Sequence, residues 1–117
     1  MAAVMSDESY EHIVLPSSLG SEPKSKAAWL DRFKTGFASW FNPGDFEAII
    51  HEVFEGPGHV TVQMSSRGTT KSGKAFANEY MAVFQVRQDA SGAYKIVRVK
   101  EFMDSQTMTN WAKTLAE

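Results

Sequence analysis

The chain of 117 residues contains no cysteine. That excludes a disulfide framework and thiolate chemistry, and it fits a reducing compartment. Charge of neither sign dominates: 12 Lys and Arg stand against 14 Asp and Glu, a net of −2. No basic footprint for nucleic acid or for an anionic membrane surface follows from that balance. No apolar run is long enough to span a bilayer. The opening Met-Ala-Ala-Val-Met-Ser-Asp-Glu-Ser-Tyr lacks the basic and apolar segments of a secretory leader, so the cytosol is the expected compartment. There is no Gly-x-Ser-x-Gly elbow for a serine nucleophile and no Asn-x-Ser/Thr acceptor. Of the three histidines, His51 and His59 are split by a turn and His12 is remote, so no metal is expected. No internal repeat or low-complexity tract is present.

One motif invites a nucleotide and fails. Gly68-Thr-Thr-Lys-Ser-Gly73-Lys74 has the glycine and lysine spacing of a phosphate-binding loop, but Ala75 stands where the magnesium-binding Ser or Thr belongs. A β-run follows it, whereas phosphate binding needs a helix N-terminus there. It reads as a hairpin loop with solubilising lysines.

The length fits one domain with a single core, and 43% hydrophobic with 22% charged residues is ordinary for a globular protein. Residues 1–9 are small or acidic and are expected to fray, leaving a domain over 10–117. Residues 10–15 read as a short strand stopped by Pro16, and 17–24 as a loop. A helix is predicted from an N-cap at Ser25, with Trp29, Leu30, Phe33, Phe37, Trp40 and Phe41 on one face and Asn42-Pro43-Gly44 ending it. Such a stripe is a helix packing on a sheet in preference to a ligand box. Strands follow over 46–54 and 59–66, then a polar connection over 67–74. Met108, Trp111, Ala112 and Leu115 give a short C-terminal helix. The order is strand, helix, four strands in a meander and a small helix: an α+β arrangement, one curved sheet with a helix across its concave side.

The chain is organised around residues 76–104, two runs rich in Val, Ile, Phe and Tyr joined by Asp89-Ala90-Ser91-Gly92, an antiparallel hairpin. Side chains alternate along a strand, so Ala77, Glu79, Met81 and Val83 share a face, as do Val97, Val99, Glu101 and Met103. With Val86 opposite Tyr94, Glu79 and Glu101 stand directly across from one another. Two carboxylates on an apolar face suit a reaction pocket; a solvated pair tied to a neighbour such as Arg67 is the plainer alternative. For His12 and His51, the plainer alternative is a hydrogen-bonded structural histidine.

Residues 68–80, Gly-Thr-Thr-Lys-Ser-Gly-Lys-Ala-Phe-Ala-Asn-Glu-Tyr, and 94–105, Tyr-Lys-Ile-Val-Arg-Val-Lys-Glu-Phe-Met-Asp-Ser, resemble the SnoaL-like branch of the NTF2-like superfamily, particularly its small fungal members. Those carry a Gly-x-x-Tyr/Phe-x-Asn-Glu-Tyr strand and a later strand ending in Glu-Tyr/Phe-x-Asp. The upstream Tyr-Glu-His-Ile-Val-Leu-Pro-Ser-Ser-Leu-Gly (10–20) fits the start of these sequences. The resemblance implies a cone: a strongly curved mixed sheet around a pocket closed by helices. It further implies proton transfer in an apolar pocket without a cofactor, as in polyketide cyclases, scytalone dehydratase, ketosteroid isomerase and limonene epoxide hydrolase. Other members only bind or dimerise. A carboxyl in a dry pocket has its pKa raised toward the working pH, which makes such chemistry physically sensible.

Carried over position by position, the resemblance implies Asp104, Glu79, Glu101 and His12 as candidate proton carriers. Trp29, Phe33, His51, Met81, Val99 and Met103 are the expected substrate wall. Alternation puts Asn78 and Tyr80 on the face opposite Glu79, and Asp104 out of phase with Glu101, so a bulge or the strand end must reorient one acid. Family members begin with one or two helices before the first strand, whereas nine residues precede it here. An open pocket, or one covered by a partner chain, is the expected consequence. Two readings result. One is a cofactor-free cyclase, isomerase or dehydratase acting on a small hydrophobic polyketide- or terpenoid-like substrate. The other is a non-catalytic binding or dimerisation module, a homodimer through the sheet with Tyr80, Phe84 and Phe102 at the interface.

Overall fold

A computed structural model describes residues 2–116. Met1 and Glu117, the outer limits of the expected segments 1–9 and 10–117, lie outside the described residues. So does the side chain of Leu115, the last apolar position expected on the C-terminal helix. The elements are β1 (Glu11–Leu15), α1 (Lys26–Thr35), β2 (Phe46–Gly56), β3 (His59–Thr69), β4 (Ala75–Gln88), β5 (Tyr94–Met103) and α2 (Ser105–Ala116). Their order is the one the hydrophobic pattern predicts. The strands form one mixed sheet in the order β1-β5-β4-β3-β2, with β1 parallel to β5 and the other pairs antiparallel. The supposed phosphate loop is the β3–β4 connection, where the Thr70 hydroxyl accepts from the Lys74 N–H.

The Ser25 hydroxyl caps α1, accepting from the Ala28 N–H at 3.2 Å. The expected single helix to Phe41 is corrected: α1 ends at Gly36, and Phe37–Trp40 form a separate 3-10 turn. A Cβ at Gly36 would stand 2.8 Å from the Arg32 carbonyl, so glycine permits the break. The break also divides the aromatic stripe. Trp29 and Phe33 stay on α1, while Phe37, Trp40 and Phe41 turn with Phe46 and Met108 into a core built on Phe76 and Trp111. Phe76 and Trp111 meet edge to face with centroids 4.9 Å apart.

Two further corrections concern the edges and faces of the sheet. Residues 2–6, expected to fray, extend the β1 edge along β5. Met5 is buried and bridges Ile96, the Ser6 N–H donates to the Ile96 carbonyl, and Lys26 binds the Met5 carbonyl and the Asp7 carboxylate. In the β4–β5 hairpin, Gln88 faces Tyr94 and Val86 faces Ile96, then Gln85 faces Arg98. Val97 is therefore an extra residue on β5. A one-residue bulge turns over every side chain beyond it relative to the partner strand. Glu101 pairs with Ala82 and Met103 with Tyr80, while Glu79 pairs with Ser65 of β3.

Candidate active site

The inner face of the sheet is the one carrying His12, Val99, Glu101 and Met103, with Phe84, Ala82, Tyr80 and Asn78 beside them on β4 and Val62, Met64 and Ser66 on β3. Glu101 sits between Val99 and Met103 along β5 and faces Ala82 across the ladder, all three buried apolar neighbours. Its own side chain retains 19% exposure. Burial disfavours the charged form and pushes the Glu101 carboxyl up to about 7.

His12 is 4% exposed and lies flat on Trp29 of α1, ring centroids 3.6 Å apart and planes 5° from parallel. Lys24 pairs with it backbone to backbone. The Tyr10 hydroxyl is 3.0 Å from His12 Nδ1. On the other side, Nε2 is 3.8 Å from Glu101 Oε2, beyond hydrogen-bond reach, and has no partner among the described residues. Burial, with a smaller contribution from the Lys24 charge, pushes His12 down to about 4. The pair is therefore no ion pair near neutral pH: the titrating proton belongs to the carboxyl and the imidazole stays neutral.

Two phenols complete the cluster. Burial raises the Tyr80 hydroxyl, the Glu101 charge adds to this, and Ser66 Oγ lies 2.7 Å away. Burial, and then the Glu101 charge, pushes Tyr10 up to about 12. Both remain O–H donors at any pH where Glu101 titrates. Asn78 is 5% exposed; its Oδ1 accepts from the Glu79 N–H and its Nδ2 has no partner among the described residues. The arrangement offers one carboxyl able to take and return a proton, beside neutral donors and an apolar wall. Among the described residues no three His, Asp or Glu side chains converge as a metal site.

Of the sequence candidates, the structure brings Glu101, His12, Trp29, Val99 and Met103 together. Phe33 stands one step further along α1, 6.1 Å from Trp29. Glu79 and Met81 lie on the outer face, both exposed. His51 is the extra residue of a bulge in β2, and its Nε2 is 2.7 Å from Ser65 Oγ on that same outer face. Asp104 is exposed and caps α2, accepting from the Thr107 N–H at 3.1 Å and the Thr107 hydroxyl at 2.9 Å. These bonds hold its carboxyl below the usual range. Asp104→Ala is accordingly expected to lower the thermal midpoint through loss of the cap while leaving the Glu101 titration in place; a displaced Glu101 titration would return Asp104 to the site. Tyr80 and Phe84, expected on the outer face, point inward. Tyr10, Ser66, Asn78 and Tyr80 are the residues that strand alternation alone did not find. Tyr10 had a usable signal, its two-residue spacing from His12 on the strand expected over 10–15.

Closure is incomplete. Ile50 and Val53 of β2 share the inner face with Met64 and Val62, yet are 65% and 48% exposed. Two clefts of about 400 and 240 Å³ flank Phe46, lined by residues such as Arg67 and Phe76 or Phe33 and Phe41; neither reaches Glu101.

No protein-family model matches the chain, and no curated protein matches it in sequence. Solved structures do. The BvnE pinacolase from Penicillium brevicompactum superposes with a TM-score of 0.81 at 23% identity, over 99% of this chain and 77% of that one. TerC, co-crystallised with polyporic acid, gives 0.70 at 16% identity over 92% and 79%. A protein from Jannaschia sp. CCS1 assigned as a SnoaL-like polyketide cyclase gives 0.67 at 15% over 92% and 72%. The fold is NTF2-like, of the SnoaL type. At these identities the likeness concerns the fold alone, and the chemistry rests on the residues themselves.

Proposed function

We propose that the inner face is a cofactor-free proton-transfer pocket for a small hydrophobic molecule of polyketide or terpenoid type, an isomerase, cyclase or dehydratase. Glu101 takes and returns the proton; His12 and Tyr80 hydrogen-bond the reacting oxygen; Trp29, Val99 and Met103 form the wall. The observation that carries this reading is the place of Glu101 on the inner face, between buried Val99 and Met103 and opposite buried Ala82, surroundings that push its carboxyl up to about 7. A general acid–base works best with a pKa near the operating pH. SnoaL-type neighbours with a pinacolase and a polyketide cyclase assignment support the substrate class.

The test is a carboxyl NMR titration of the intact protein. Glu101 is expected to titrate near neutrality, with Asp104 below the ordinary range, and the neutral transition to vanish in Glu101→Gln. A Glu101 transition near the ordinary glutamate value of about 4.3 would place it in water and remove the basis of the mechanism.

A second reading has its own observation. Phe54 of β2, Met81 of β4 and Phe102 of β5 are exposed on the outer face, and Met81 and Phe102 are directly paired. An exposed apolar patch of this kind suits a homodimer through the sheet, in which the inner face binds without turnover. A monomer in solution would sink the dimer.

A further inference from the structure

We infer that Tyr10 is a positioning residue that holds His12 as the Nε2–H tautomer, so that a neutral imidazole offers a fixed N–H into the gap facing Glu101. The inference rests on the proton-transfer reading of the pocket but concerns a different group. The only hydrogen-bond neighbour of the Tyr10 hydroxyl among the described residues is His12 Nδ1, at 3.0 Å. A phenol is the stronger donor of the two and an imidazole nitrogen the stronger acceptor, so the proton lies on oxygen and Nδ1 takes the bond. A neutral imidazole carries one N–H, which must then be on Nε2. Stacking on Trp29 at 3.6 Å and 5° fixes the ring plane, so that hydrogen cannot swing elsewhere.

The opposite tautomer is disfavoured by what it would face. Whenever Glu101 is ionised it would turn an Nε2 lone pair toward the Glu101 oxygens at 3.8 Å, two acceptors opposed in a buried space, so the tautomer is read above neutral pH. The titratable groups around the ring are Tyr10 just before β1, Lys24 before α1 and Glu101 on β5. None of them supplies another acceptor within hydrogen-bond reach of Nε2, which is buried and unpartnered. A buried donor left unpaired is costly, so it marks where a ligand atom belongs. The atom it fits is an uncharged or anionic oxygen acceptor, a carbonyl or enolate, seated where Glu101 can reach the adjacent proton. Tyr10 acts through His12 and does not itself touch the ligand.

The experiment uses the full-length protein labelled with ¹⁵N and reads the His12 ring nitrogens by long-range proton–nitrogen correlation above neutral pH. His12→Asn identifies the signals. The expected result is a pyridine-type Nδ1 and a pyrrole-type Nε2 in the unmodified protein, with both moving toward averaged values in Tyr10→Phe, which keeps the ring and removes the hydroxyl. A pyrrole-type Nδ1 in the unmodified protein overturns the inference without needing any variant, and so does an unchanged pattern in a folded Tyr10→Phe. Added 4-nitrophenol, an oxygen acceptor on an aromatic body, is expected to move the Nε2–H resonance; no movement removes the acceptor assignment. The tautomer is read without turnover. A locked ring in a protein whose Glu101 titrates as a free carboxyl upholds the inference and sinks the proton-transfer reading. An active protein with the other tautomer does the reverse.

Discussion

Glu101→Gln is expected to cut turnover by about 10²- to 10⁴-fold on the first ketone or polyol of polyketide or terpenoid type that the protein converts. Glutamine preserves the shape of the side chain and one hydrogen-bonding oxygen, so binding and packing persist while proton transfer is lost. The loss should therefore fall on kcat, with KM little changed. The pH profile carries a second signature. Glu101 begins as the base, so kcat/KM is expected to rise as pH passes about 7 and to level off above it. The glutamine variant should show a flat residual rate over the same range. Asp104→Asn serves as the control, since Asp104 caps α2 away from the inner face. Retention of activity within a few-fold in Glu101→Gln, or loss in Asp104→Asn, would move the chemistry away from β5.

The second large effect is on stability, where His12 and Glu101 act in opposite directions. Glu101 has its carboxyl raised from 4.5 to about 7 in the fold. Between those values the unfolded chain has already released the proton that the folded chain keeps. Stability contributed by this site is thus present at low pH and lost as pH rises to about 7. His12 is lowered from 6.5 to about 4. Over that range the unfolded chain binds a proton the folded chain refuses, so stability rises with pH from about 4 to 6.5. Each displacement is worth roughly 3 kcal/mol at its limit. Because the windows nearly coincide, the two slopes offset one another and the unmodified protein should show little change across them from this pair.

Single variants expose the hidden slopes. In Glu101→Gln the urea midpoint is expected to climb from about pH 4 to 6.5, then hold. In His12→Asn it is expected to fall from about pH 4.5 to 7. Parallel, flat midpoints in both variants would show that neither group is as dry as its neighbours Val99, Ala82 and Trp29 make it. The glutamine variant should also be more stable than the unmodified protein above neutrality, where a buried carboxylate is replaced by a neutral amide.

The order of elements, the Ser25 cap and the hairpin turn at Asp89 were all legible in the amino-acid pattern. They rest on local causes: apolar spacing, a side-chain oxygen before a helix, and turn residues between β-branched runs. Motif resemblance likewise reached the fold, and it pointed to Glu101 and His12, whose side chains the structure brings within 3.8 Å of each other. What the chain could not disclose on its own is which residues face which. A single extra residue, Val97, inverts β4 against β5. It moves Glu79 and Met81 out and brings Tyr80 and Asn78 in. Gly36 parts an aromatic stripe that looks continuous, leaving Trp29 on His12 and sending Phe41 into the core. Asp104 follows Met103 directly, yet it caps a helix. Local sequence determined the strands, the helices and the residues able to carry a proton. Only the tertiary structure decided their faces, because a bulge and a helix break are set by long-range packing, and one residue of slip exchanges the two sides of a sheet.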